Sequence, residues 1–410
     1  MLIGLFALPF LLHRIGVDRF GVLTLVWTLI GYFSIFDLGL GRALTHRIAA
    51  LRIDSNAQRI DSAISFGMSL MLIVGVVGSL IVCSTIYFFG IGWLNVGQEV
   101  YKQAYWAIFV ASFGIPLATL TSGLKGVLEG YENFQNINLL KALLGASNFL
   151  LPVISVELFG PNLVLIVFSL VIARGLFFIA HLQLVVRLLG RAVKFKISGS
   201  DESSAKLVNF GGWMTLSNIV SPLMSVADRF LISHYTGSAS VAHYSVPLDF
   251  IFRLTILPAS IATTLFPIFS KELKQNDNKV KDKYLRYQLF ILGVMAPICL
   301  ATILFSHYGL TIWMGRIFAD ASYQVANVIS IGVFFNSFGQ IPLTLLQADG
   351  RVKLTSMLHL AEFAIYAPLL IIAISNFGIM GAAYMWTLRA FMDSLLLNFI
   401  AMKFTRFIYE

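Results

Sequence analysis

Charged side chains are sparse inside the apolar stretches of this 410-residue chain, and most of those present are spaced as helical neighbours. Asp228 and Arg229 are adjacent, while Asp249 with Arg253 and Arg389 with Asp393 stand four apart, which sets acid and base on one helical face a turn from each other. His359 and Glu362 are spaced i, i+3, Arg174 and His181 share a face one heptad apart, and Asp37 lies in FDLGLGR. A charge inside hydrocarbon is costly and faces a cavity or a partner, so each is a candidate functional residue. Arg174 has no acid within one turn, which leaves it a neighbouring helix or a bound anion as partner, or snorkelling toward the interface. The i, i+4 pairs are either functional or self-neutralising locks between helices, and Asp228 is either an intramembrane group or a solvated one near a span end. No HExxH, P-loop, Rossmann glycine pattern or metal-spaced Cys/His set occurs, so no catalytic or metal residue is expected. Any active transport must then draw on an ion gradient, the membrane potential or a partner protein.

The elements that must hold these residues are membrane spans. With 58% hydrophobic and 12% charged residues and a mean hydropathy of +0.83, the chain lies far from soluble globular composition. Apolar stretches run near 1–13, 20–41, 64–90, 104–128, 139–159, 163–189, 207–236, 243–270, 284–312, 324–348, 354–376 and 378–402. Most reach the roughly 20 residues a helix needs to cross about 30 Å of hydrocarbon, and backbone satisfaction in lipid makes the class an all-α integral membrane bundle of twelve helices. Most of the 29 Lys and Arg residues, Arg42, Arg47, Arg52, Arg59, Lys194, Lys271 and Lys281 among them, lie in every second connection. Those connections and both termini are therefore expected in the cytoplasm. The same bias accounts for the +9 net charge without nucleic acid. Cys83 and Cys299 read as small buried hydrophobes.

A repeat divides the spans six and six. HRIGVDRF from His13 aligns with HYTGSASV from His234, matching Gly16 to Gly237, and Glu129-Gly130 aligns with Asp349-Gly350. An even number of spans per half makes the halves parallel. The expected domains are a bundle over 1–189, a cytoplasmic linker over 190–206 (GRAVKFKISGSDESSAK) and a bundle over 207–410. Only 12 residues precede His13, so the first helix reads as truncated, with its true start upstream. Prolines inside spans, three of them (Pro247, Pro258 and Pro267) in the eighth, predict kinks or hinges.

The stretch PFLLHRIGVDRFGVLTLVWTLIGYFSIFDLGLGRALTHRIA resembles the opening of bacterial Wzx-type polysaccharide flippases, within the multidrug/oligosaccharidyl-lipid/polysaccharide exporter superfamily. The shared features are Gly16, Phe20, Gly21, Leu38, Gly39, Leu40 and Arg42. VLEGYENFQNINLLKALL, LLQADGRVKLTSMLHLAE and SVADRFLISHYTGSASVAHYSV resemble later family segments. The resemblance implies a central cavity, alternating access and no enzymatic step, in the bacterial inner membrane. The implied cargo is an undecaprenyl-diphosphate-linked oligosaccharide repeat unit for O-antigen or another surface polysaccharide, moved from the cytoplasmic to the periplasmic leaflet, with polysaccharide assembly proteins as possible partners. For such a cargo, Arg174, Arg229, Arg253 and Arg389 are candidate ligands of phosphate oxygens. Asp228, Asp249, Glu362 and Asp393 are candidates for a coupling H+ or Na+, or competitors for the arginines, and no cofactor is expected. Two alternatives remain at this level: a multidrug cation exporter of the same superfamily, and a membrane glycan polymerase or ligase.

Overall fold

The computed structural model describes residues 2–31, 40–53, 57–195, 226–274 and 279–407. Asp37, the linker from residue 196 onward and the start of the seventh stretch up to residue 225 lie outside the described residues, as does the side chain of Arg42. The described residues are helical throughout, with short turns between helices and no strand. In chain order the helices are α1 (Leu2–Ile15), α2 (Val17–Gly31), α3 (Leu40–Ile53), α4 (Ala57–Phe89), α5 (Gln98–Ser112), α6 (Gly114–Gly130), α7 (Phe134–Phe159), α8 (Leu163–Leu189), α9 (226–236), α10 (Ser238–Ile251), α11 (Ile256–Lys274), α12 (Lys279–Met314), α13 (Arg316–Ala348) and α14 (Val352–Phe407). Eight helical segments of the described residues are long and apolar enough to cross a membrane, from Gln58–Phe89 to Val352–Lys403.

Local chemistry sets the breaks. Gly16 (φ 79°) and Gly237 (φ 91°), matched by the sequence repeat, both take the left-handed conformation that glycine allows without strain. The second matched pair differs: the positive φ falls at Glu132 (62°) in the first half and at Gly350 (78°) in the second. Pro116 has no N–H to offer the carbonyl of Ser112, and the helix breaks there between α5 and α6. Pro258 likewise withholds a bond from Leu254, and the chain tightens into a 3₁₀ turn over Phe252–Thr255 between α10 and α11. Gly378 (φ 58°, ψ −136°) splits α14 into two rods, between the eleventh and twelfth apolar stretches.

The chain forms two compact units. The first comprises Met1–Ala227 with Gly237–Ala239, and the second comprises Asp228–Thr236 with Ser240–Glu410. In the first, α6 is central and packs on α3, α4 and α8. The core there is built at helical spacing from Leu40, Leu44, Ile48 and Leu51 of α3, Ile60, Ile64, Met68 and Met71 of α4, and Leu120, Leu124 and Val127 of α6. Close backbone approach is possible because α6 presents glycines. A Cβ on Gly126 would lie 2.5 Å from the carbonyl oxygen of Gly41. Gly126→Ala should therefore push α3 from α6 and cost about 1–3 kcal/mol. A lowered midpoint in a detergent melting assay checks this, with Gly145→Ala, which meets open space, leaving the midpoint in place. In the second unit α13 is central, packed by α11, α12 and α14. Its buried small residues, Ala319, Ser322, Ala326, Ser330 and Ser337, suit the tight packing of helices in lipid.

Candidate functional site

In the first unit, α6 carries Thr121, Ser122 and Lys125 at the three- and four-residue spacing that groups them on one side of the helix. Together with Arg174 and Phe177 of α8 and Ile30 at the end of α2, they line a cavity of about 210 Å³. The Arg174 guanidinium donates through Nη2 to the carbonyl of Ile30 at 3.2 Å, which fixes its position on the wall. Lys125 Nζ lies 3.4 Å from Glu129 Oε1, one turn further along α6. The pocket thus holds two fixed cationic side chains and two hydroxyls beside apolar walls. His181, on the same face as Arg174, is buried, and its Nδ1 sits 2.7 Å from the carbonyl of Phe177.

The second unit collects acids. Asp228 of α9 is 1% exposed. Its Oδ2 accepts a 2.6 Å bond from the Tyr244 hydroxyl of α10, and its Oδ1 accepts from the backbone N–H of Arg229 at 2.8 Å. The Arg229 guanidinium reaches Asp249 Oδ1 at 2.5 Å, so the ion pair joins α9 to α10. Arg253 donates through Nε to the backbone carbonyl of Asp249 at 3.1 Å, and the Asp249 carboxylate faces Arg229.

A second group forms across the break in α14. The turn at Gly378 folds the two rods back on each other, and His359 Nε2 comes within 3.4 Å of Asp393 Oδ1. One ligand atom each from His359, Glu362 and Asp393 lies within 4.8 Å of the others. Beside them, the Arg389 guanidinium sits over the Tyr366 ring, 5.4 Å from its centroid. One imidazole nitrogen and two carboxylates at this separation are ligands suited to a proton or a small hard cation. Of the residues singled out by spacing, Asp228, Arg229 and Asp249 come together, as do Glu362 and Asp393. Arg174 lines the cavity of the first unit, whereas Arg229, Arg253 and Arg389 belong to the second.

Three contributors carry no distinct signal in the sequence. Lys125 lies near a span end, where a basic residue also serves orientation. Tyr244 and Tyr366 give no signal, since a tyrosine in an apolar helix has the same pattern whether or not it meets a carboxylate.

The sequence profile of the polysaccharide biosynthesis protein family matches residues 1–273. The chain belongs to that family. The MatE profile matches residues 214–372. The protein named "Putative O-antigen transporter" of Shigella flexneri is 33% identical over 408 residues, 97% of this chain and 93% of that protein. Among solved structures, an inward-facing MATE family multidrug resistance transporter of the MOP superfamily superposes with a TM-score of 0.83 at 14% identity, covering 99% of this chain and 95% of the other. The lipid II flippase MurJ in an inward closed conformation gives 0.76 at 14% identity, covering 97% and 84%. This member of the polysaccharide biosynthesis family is a multi-pass membrane transporter, a different class from the glycan polymerase or ligase alternative.

Proposed function

We propose that the protein flips undecaprenyl-diphosphate-linked oligosaccharide repeat units from the cytoplasmic to the periplasmic leaflet of the bacterial inner membrane, by alternating access, for O-antigen or a related surface polysaccharide. The observation that carries this reading is the cavity of the first unit. Lys125 and Arg174 supply charge-assisted donors, while Thr121 and Ser122 add polar hydroxyls to the wall, the Thr121 proton being donated to the Leu117 carbonyl at 2.6 Å. A diphosphate crossing hydrocarbon needs charged donors of this kind to replace its water. A space of about 210 Å³ suits a phosphate-sized group and leaves the glycan to other surfaces. In this reading Arg174 binds substrate directly, and Glu362 and Asp393, with His359, bind the coupling H+ or Na+. Asp228, Arg229, Asp249, Arg253 and Arg389 hold the second unit in shape around that ion site. The halves act as two six-helix bundles joined by the basic segment 190–206, with both termini in the cytoplasm.

One observation favours a second reading, export of organic cations: the MatE match and the acid-rich clusters fall together in the second half. The cationic pocket of the first unit opposes it, because it would repel such cargo. Deleting the gene separates the two. The flippase reading expects lipid-linked repeat units to accumulate on the cytoplasmic face and surface glycan to disappear. Normal glycan with new sensitivity to cationic dyes would instead select the exporter.

A further inference from the structure

Glu129 sits where the cavity of the first unit meets the close contact between α3 and α6. One carboxylate oxygen, Oε1, lies 3.4 Å from Lys125 Nζ. The other, Oε2, accepts a 3.3 Å bond from the Thr45 hydroxyl of α3, which also donates to the Gly41 carbonyl at 3.0 Å. That carbonyl is the one a Cβ on Gly126 would strike. The neighbouring cation on α3, Arg52, is turned to the Gly130 carbonyl at 2.9 Å and stacks on the Tyr131 ring. Lys125 is therefore shared between an internal carboxylate and the cavity it lines.

We propose that Glu129 is the internal counter-ion of this anion seat, which an incoming phosphate group displaces from Lys125. The inference rests on the flippase reading and extends it to how the cargo is released. A half-buried i, i+4 ion pair is weak, so the seat can be occupied and emptied at modest cost, whereas Lys125 without that counter-ion would hold a diphosphate more tightly and slow its departure. Because Glu129 also accepts from Thr45, loss of its lysine partner is felt at the contact between α3 and α6. Glu129 does not need to touch the cargo. It is a positioning residue that sets the affinity of Lys125.

The test is binding of inorganic diphosphate to the full-length purified protein in detergent by calorimetry, together with flipping of a fluorescent undecaprenyl-diphosphate glycan in proteoliposomes. Glu129→Gln, which keeps the acceptor for Thr45, should bind diphosphate about two- to five-fold tighter, the range expected for an ion pair of this exposure, while flipping slows. Glu129→Asp, with the charge kept and the reach shortened, should fall between, and it carries the test if the glutamine variant does not fold. In a Lys125→Ala background the glutamine substitution should change nothing. A purely structural role would weaken binding and flipping together and leave that cycle additive. If Glu129→Gln binds as the wild type does, or more weakly, the counter-ion role is overturned, yet the flippase reading stands provided Lys125→Ala and Arg174→Ala each still weaken binding about ten-fold or more. If the wild type binds no diphosphate and those two substitutions leave glycan export intact, both fall.

Discussion

Replacing Lys125 and Arg174 together by alanine is expected to reduce flipping of a lipid-diphosphate-linked glycan to below about 1% of wild type. Each side chain supplies donors to an anion in a cavity walled by apolar groups, and a hydrogen bond involving a charged partner contributes about 1.5–3 kcal/mol. Losing both removes about 3–6 kcal/mol, and every 1.4 kcal/mol is a factor of ten. Singly, each substitution should cost roughly ten- to a hundred-fold. Arg174→Lys should retain part of the activity, because an ammonium keeps the charge and loses the forked geometry that also holds the Ile30 carbonyl. Arg14→Ala removes an ion pair to Glu157 whose side chains are 59% and 48% exposed; it should leave flipping unchanged and serves as the control. Proteoliposome flipping, with membrane levels matched by immunoblot, reads the result. Wild-type flipping by a well-folded double variant would dismiss the cavity as the diphosphate seat.

Arg174 was legible in the sequence and Lys125 was not, and the reason is physical. Translocation reads charge near span ends regardless of what a side chain touches, so a lysine near the end of a helix serves orientation and can line a pocket at once. The alternation of basic connections marks orientation, but it cannot separate those duties. The fold class was legible because hydrocarbon leaves the backbone so few solutions, whereas the aligned glycines share a backbone conformation at Gly16 and Gly237 and not at Gly130 and Gly350.

Pairing was harder to read. Spacing placed Asp249 with Arg253, while its carboxylate in fact meets Arg229 from the preceding helix. A four-residue spacing guarantees proximity along one helix and says nothing of a competitor from another. In the same way, His359 and Glu362 shared a readable i, i+3 relation, but their meeting with Asp393 depends on the left-handed turn at Gly378 that reverses α14. Long-range contacts of this kind have no local signature.

That cluster leads to the second expected result. His359, Glu362 and Asp393 bring one imidazole and two carboxylates within 4.8 Å. With the imidazole neutral, two ionised carboxylates beside the single Arg389 guanidinium leave one net negative charge inside a membrane span, where an uncompensated charge is costly. A monovalent cation, H+ or Na+, restores neutrality, and if its release on the other side of the membrane accompanies each cycle, the gradient drives the cargo. Glu362→Gln and Asp393→Asn remove that negative charge at almost constant volume. Each variant is therefore expected to lose gradient-driven flipping by at least about ten-fold while keeping the slow exchange of cargo down its own gradient. Proteoliposomes with an imposed proton or sodium gradient separate the two: stimulation in the wild type, and rates in either variant that no longer respond. His359→Gln, which takes a nitrogen ligand and leaves both carboxylates, should shift the ion concentration needed for half-maximal stimulation while preserving the response. If both carboxylate variants still accelerate under the gradient as the wild type does, the coupling ion does not bind at this cluster, and Asp228, held by Tyr244 and the backbone of Arg229, becomes the next acid to neutralise.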